Sequence, residues 1–112
     1  REWHDCRRPD DAYIAAFFGE RLAASIIEEN KNDACAGITA SLIESKQDEI
    51  RKVVDGIPTV EELAPLYEKL GMKASLEDIG VPSEKLPLIR KYAFLVRNRL
   101  TLMRIINEAD AW

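Results

Sequence analysis

Arg97, Arg99 and Thr101, followed by Arg104, place three guanidiniums and a hydroxyl within one short stretch of a 112-residue chain. Groups of this kind bind phosphate through charge-assisted hydrogen bonds. On an uninterrupted helix, Arg97, Thr101 and Arg104 share one face, because spacings of four and three residues return to the same side. Arg97 and Arg99 diverge there by about 200° and cannot grip one small anion together. Arg99 falls instead into the apolar arc of Ile89, Tyr92, Val96, Leu100 and Met103. A buried guanidinium stays charged and costs several kcal/mol unless it is answered. Arg99 therefore requires a carboxylate from another helix, a set of backbone carbonyls, or a bound anion, and both the structural and the ligand-binding readings are open. For Arg97, Thr101 and Arg104 the alternative to a phosphate site is a solvated polar strip.

Other residues with ligating chemistry form no convincing set. His4-Asp5-Cys6 can each bind a metal, but three neighbours in sequence project in different directions. There is one histidine and no Cys-x-x-Cys, so the metal-ligand set and the catalytic set are both expected to be empty. Cys6 and Cys35 flank the first expected helix. A rod of ~18 to 20 residues would hold them ~27 to 30 Å apart, against the ~7 Å between alpha carbons that a disulfide needs. Two reduced, idle thiols are expected.

The elements that must position these groups read as helices throughout. Pro9-Asp10-Asp11 opens the first, with Ile14, Phe17, Phe18, Leu22 and Ile26 as its stripe and Gly19 as a small interruption. Asn30-Lys31-Asn32-Asp33 is a polar loop. A second helix runs from about Ala36 to Val54 and stops at Asp55-Gly56, with Ile38, Leu42, Ile50, Val53 and Val54 inward. Pro58-Thr59-Val60-Glu61-Glu62 marks a third start, a capping box with Thr59 as cap and Glu62 in reciprocal position. Val60, Leu63, Leu66, Tyr67 and Leu70 would form its buried face, and Gly71 its end. Short turns follow around Ser75–Gly80 and between Pro82 and Pro87. The last helix, 88 to 106, is apolar almost all round and reads as an enclosed strut. No strand alternation or internal repeat is present. The expected fold is all-α, a bundle of four to five helices with a long, largely buried C-terminal helix, in a single domain over residues 1–112.

Composition narrows the function. Sixteen basic against twenty acidic side chains give a net charge of −4, the wrong balance for general nucleic-acid binding. A loose helix-turn-helix likeness over Glu61–Leu76 fails for the same reason, since its recognition helix would carry Glu77 and Asp78 and no base. No apolar run approaches the ~20 residues of a membrane span. A cytoplasmic protein is expected, and its start at Arg1 suggests a piece of a longer chain.

Four segments carry a family resemblance: Ile57-Pro58-Thr59-Val60-Glu61-Glu62-Leu63, Leu70-Gly71-Met72-Lys73-Ala74, Leu76-Glu77-Asp78-Ile79-Gly80-Val81, and Val96-Arg97-Asn98-Arg99-Leu100-Thr101-Leu102. Together they resemble the C-terminal end of sn-glycerol-1-phosphate dehydrogenases, metal-dependent and nicotinamide-dependent enzymes related to iron-containing alcohol dehydrogenases and dehydroquinate synthase. Arg97, Arg99 and Thr101 match the family's closing Arg-x-Arg-x-Thr, and the likeness covers about residues 57 to 106. It implies a helical C-terminal domain whose N-terminal nucleotide-binding partner domain lies on the same polypeptide. It also implies NAD(P) and a divalent metal for that parent, and Arg97, Arg99 and Thr101 as substrate-binding residues. This sequence holds neither a glycine-rich dinucleotide loop nor the family's histidine ligands, so the chain alone would not catalyse hydride transfer. Homo-oligomerisation is a further expectation. The alternative function is a non-enzymatic helical interaction module, with exposed apolar helix faces as its partner site.

Overall fold

The computed structural model describes residues 2–109, and among them every regular element is helical. The all-α expectation holds. By internal packing the chain divides into two compact units, one formed by residues up to Ser45 together with those from Leu88 onward, the other by Lys46–Pro87.

The first unit starts with α1 (Asp11–Phe18) and α2 (Glu20–Glu29). The expected single rod is broken at Gly19, whose φ of 76° and ψ of 161° lie in a region essentially closed to residues with a Cβ. Its N–H closes α1 on the Ala15 carbonyl at 2.9 Å, and its carbonyl accepts from Ala23 N–H to open α2 at 2.9 Å. The chain therefore folds back, α1 packs on α2, and Cys6 and Cys35 need not lie a helix length apart. Phe17 stacks on Tyr92, ring centroids 4.1 Å apart, tying α1 to the C-terminal segment. Ile14, Ala23, Cys35, Ile43, Leu95 and Ala109 are the buried apolar core of this unit.

The expected C-terminal strut is neither continuous nor largely buried, with Leu88, Val96 and Leu100 among its exposed residues. It consists of α5 (Leu86–Tyr92), a 3-10 turn (Ala93–Val96), a non-helical link over 97–101, and α6 (Leu102–Glu108). Tertiary hydrogen bonds replace the missing helical ones. Asn30 donates to the Leu95 carbonyl at 2.7 Å. Asn98 accepts from Ala34 N–H at 2.8 Å and donates to the Asn32 carbonyl, while its own N–H reaches Glu29 at 3.1 Å. Thr101 then restarts the helix, its hydroxyl oxygen accepting from Arg104 N–H at 3.1 Å. Propensity favours a rod here, but buried or partly buried polar groups of the 29–34 turn find their partners only if the rod is interrupted.

In the second unit lie most of α3 (Ala40–Asp55), α4 (Val60–Lys69) and two 3-10 turns, Glu77–Ile79 and Ser83–Lys85. The capping box is present in full: Thr59 accepts from Glu62 N–H at 3.2 Å, and Glu62 accepts from Thr59 N–H at 2.7 Å. Gly71, at φ 65°, ends the helix with the paired bonds of a Schellman motif, Met72 N–H to Tyr67 and Gly71 N–H to Glu68. The expected burial of this face is corrected. Leu63 is half-buried, whereas Val60, Leu66, Tyr67 and Leu70 are exposed, as are Leu42, Val53 and Val54 of α3.

Gly19 generates a direct expectation. Gly19→Ala forces a side chain into a disallowed backbone region and should cost ~1–3 kcal/mol in urea unfolding. Gly56→Ala, where no positive φ is required, should change stability far less. Equal losses at the two positions would contradict the role given to Gly19.

Candidate functional site

Arg104, the third residue of α6, is the largest fully buried side chain among the described residues. Sequence periodicity assigned the inward charge to Arg99. The break at 97–101 changes the helical register, so Arg99 is exposed and Arg104 takes the interior position. The requirement for a carboxylate partner is met twice. Arg104 Nε donates to Asp33 Oδ1 at 3.0 Å, and Nη2 lies 3.0 Å from the same oxygen. Glu108, one turn along α6, brings Oε1 to 2.8 Å from Nε. Nη1 donates to Asn30 Oδ1 at 2.9 Å and, more weakly, to the Arg97 carbonyl at 3.5 Å. The guanidinium also lies 5.2 Å from the Phe94 ring centroid.

Asn30 is itself fully buried and fully used. Its amide donates to Ile26 and Leu95 carbonyls at 2.8 and 2.7 Å while its oxygen receives Arg104. Asp33 is held by its own turn, accepting from Cys35 N–H at 3.0 Å.

The two carboxyls shift in opposite directions. Burial opposes ionisation of Asp33, but hydrogen bonds from Glu108 and the Cys35 amide, with the Arg104 charge, outweigh it and hold this carboxyl below its ordinary value. Glu108 moves the other way, to about 8, through burial first and then the proton it shares toward Asp33. The single hydrogen on Arg104 Nε is directed at Asp33, and neither Glu108 oxygen completes a well-aligned hydrogen bond in spite of full burial.

Beside this pair lie two thiols. Cys6 Sγ, Cys35 Sγ and a Glu108 oxygen are all within 4.8 Å of one another. Cys6 is brought there by its N–H bond to Ile38 at 2.9 Å and by Arg7 N–H to the Glu108 carbonyl at 3.3 Å. Burial and the neighbouring Glu108 raise Cys6 to about 11 and Cys35 to about 12. Neither is a nucleophile at neutral pH without a nearby cation.

Of the residues singled out from the sequence, the side chains of Arg97, Arg99 and Thr101 lie outside this cluster. Arg97, Arg99 and Thr101 are exposed on the 97–101 link, where the helical separation of the two arginines no longer applies. Arg104 leaves the polar strip expected for it and is unavailable to a phosphate. Of His4-Asp5-Cys6, only Cys6 joins a ligand cluster; His4 is exposed and Asp5 accepts from Ala40 N–H at 2.8 Å. Asn30, Asp33, Cys35 and Glu108 were not legible as a site, because they meet only through pairings about seventy residues apart. The one available signal was the turn chemistry of Asn30 and Asp33 beside an apolar helix that carries a charge. Comparison with protein-family models, curated proteins and solved structures finds no match.

Two expectations follow for the metal-free chain. Arg104→Leu strands two buried carboxyls and should cost ~3–5 kcal/mol, whereas Arg99→Leu should change stability by less than about 0.5 kcal/mol. Comparable losses from the two would contradict the assignment of the buried charge to Arg104 alone. The raised Glu108 has the folded state holding a proton that the unfolded chain releases above its ordinary pKa of 4.5. Its contribution to stability is therefore full below pH 4.5 and lost as pH rises through about 8. Asp33 acts oppositely, losing its contribution as pH falls through its lowered value. In chelator, the melting temperature should decline between pH 5 and 8, and Glu108→Gln should flatten that slope. An unchanged slope in the variant would remove Glu108 as the titrating group.

Proposed function

We propose that this chain is the C-terminal helical domain of a metal-dependent, NAD(P)-linked dehydrogenase resembling the glycerol-1-phosphate enzymes, with Arg97, Arg99 and Thr101 as its contacts to the substrate phosphate. The observation that carries the reading is the condition of the 97–101 link. Asn98 fastens its centre through Glu29, Asn32 and Ala34, and Thr101 fastens its end by capping α6. Arg97 and Arg99 meanwhile stay exposed and make no ion pair among the described residues.

A fixed backbone with two uncommitted guanidiniums meets a phosphate dianion at little ordering cost. Thr101 uses its oxygen to cap the helix and keeps its hydroxyl hydrogen as a donor. In such a parent, NAD(P) and the metal would be held by the N-terminal nucleotide-binding domain of the same polypeptide and would supply the hydride chemistry at the alcohol carbon. This chain binds and orients the phosphate end. It does not carry out the transfer alone.

A second reading, a helical interaction module without an enzymatic parent, is favoured by the uncovered apolar surface of α3 and α4. Val53, Val60 and Leu70 are 70%, 77% and 73% exposed. Under the first reading the N-terminal domain covers such surface. No described helix is long and apolar enough to cross a membrane.

Translating the complete reading frame and assaying the resulting polypeptide separates the two. The dehydrogenase reading expects a dinucleotide fold upstream of Arg1 and nicotinamide reduction with glycerol phosphate. In that polypeptide, Arg97→Gln and Arg99→Gln should each raise KM for the phosphorylated substrate at least ~10-fold, with little change for an unphosphorylated polyol. Absence of the upstream fold, or KM values unmoved by both substitutions, would overturn it.

A further inference from the structure

We propose that Cys6, Cys35 and Glu108 form a binding site for a thiophilic divalent cation of the zinc type, with two thiolates and a carboxylate oxygen as ligands. The proposal uses none of the residues assigned to phosphate and stands or falls separately from that reading.

The three ligand atoms lie within 4.8 Å of one another although their residues come from three distant parts of the chain. Around a tetrahedral zinc, with Zn–S about 2.3 Å and Zn–O about 2.0–2.2 Å, ligand atoms stand roughly 3.5–3.8 Å apart. About an ångström of side-chain movement closes the difference. The backbone is already fixed at all three positions: Cys6 N–H on the Ile38 carbonyl, Cys35 N–H on Asp33, and the Glu108 carbonyl receiving Arg7 N–H.

Glu108 supplies the independent sign. Its side chain is completely shielded from solvent, and although the Arg104 guanidinium stands 2.8 Å away, neither carboxyl oxygen completes a well-aligned hydrogen bond. Buried carboxyl oxygens left short of well-aligned hydrogen bonds are rare enough to demand a reason, and a cation beside two sulfurs is one. Two thiolates select a zinc-like ion over magnesium or calcium. Two thiolates and one carboxylate exceed a divalent charge by one, and the guanidinium of Arg104, 2.8 Å from Glu108, lies where a compensating positive charge is useful. Binding as thiolates requires both cysteines to give up their protons to solvent as the ion enters. Three protein ligands leave a fourth tetrahedral position for water.

The full chain, reduced with a phosphine and freed of metal by a chelator, is titrated with Co²⁺ and then with Zn²⁺. One Co²⁺ per chain is expected, with a thiolate-to-cobalt charge-transfer band in the near ultraviolet and the intense visible bands of tetrahedral cobalt, both erased by Zn²⁺. Loss of a supporting residue already weakens metal sites ~10–100-fold, so loss of the ligand in Cys6→Ala should cost at least ~100-fold. Glu108→Gln, nearly isosteric, should cost at least ~10-fold, with helical content checked by circular dichroism. No thiolate band in a reduced, folded chain would overturn the proposal, as would equal Co²⁺ affinity in the wild type and Cys6→Ala.

Discussion

A charged group that cannot lose its proton has been taken out of water, and the first unit is arranged to answer it. Arg104 is fully buried, and Asp33, Glu108 and Asn30 surround it at 2.8 to 3.0 Å. The partners come from both ends of the sequence, so the ion network ties the turn after α2 to α6. Its cost and its value are both large. Taking one partner away leaves an uncompensated charge in a low-dielectric interior, whereas the complete set is close to balanced. The observed approach of α6 to the 29–34 turn satisfies the guanidinium, the Asn30 amide and the Leu95 carbonyl together.

The same constraint explains why the C-terminal segment is not a rod. A continuous helix over 88–106 would use its backbone groups internally and leave the buried Asn30 amide and the partly buried Ala34 N–H without their observed acceptors. Interruption at 97–101 hands the Leu95 carbonyl and the Asn98 side chain to that turn. It also presents Arg97 and Arg99 to solvent on a fastened segment, which is the arrangement the phosphate proposal uses. Packing, polar satisfaction and the candidate site are thus consequences of one break in helical register.

Local signals in the sequence were legible where the physics is local. The Thr59–Glu62 capping box and the Gly71 stop depend on residues within one turn of one another, and both occur as read. The all-helical class was equally plain from apolar periodicity. Gly19 was visible as an interruption but not as a reversal, because a glycine in a helical pattern costs little by itself; only its positive φ turns one helix into two. The rule that a buried arginine needs a carboxylate was sound, but it was attached to Arg99 because periodicity was carried across a break that tertiary hydrogen bonds impose. Asp33 and Glu108 could not be paired from sequence, since nothing short of the fold brings them together. The exposed faces of α3 and α4 differ from expectation for a related reason: an apolar stripe states that cover is needed, not that this chain provides it.

Arginine side-chain NMR examines the buried network most directly. With the resonances assigned by comparison to Arg104→Lys, the Arg104 Nε–H should exchange with solvent many times more slowly than those of Arg97 and Arg99, consistent with a shielded hydrogen held on Asp33. An Arg104 Nε–H exchanging as fast as the two exposed arginines would contradict the arrangement on which the first unit depends.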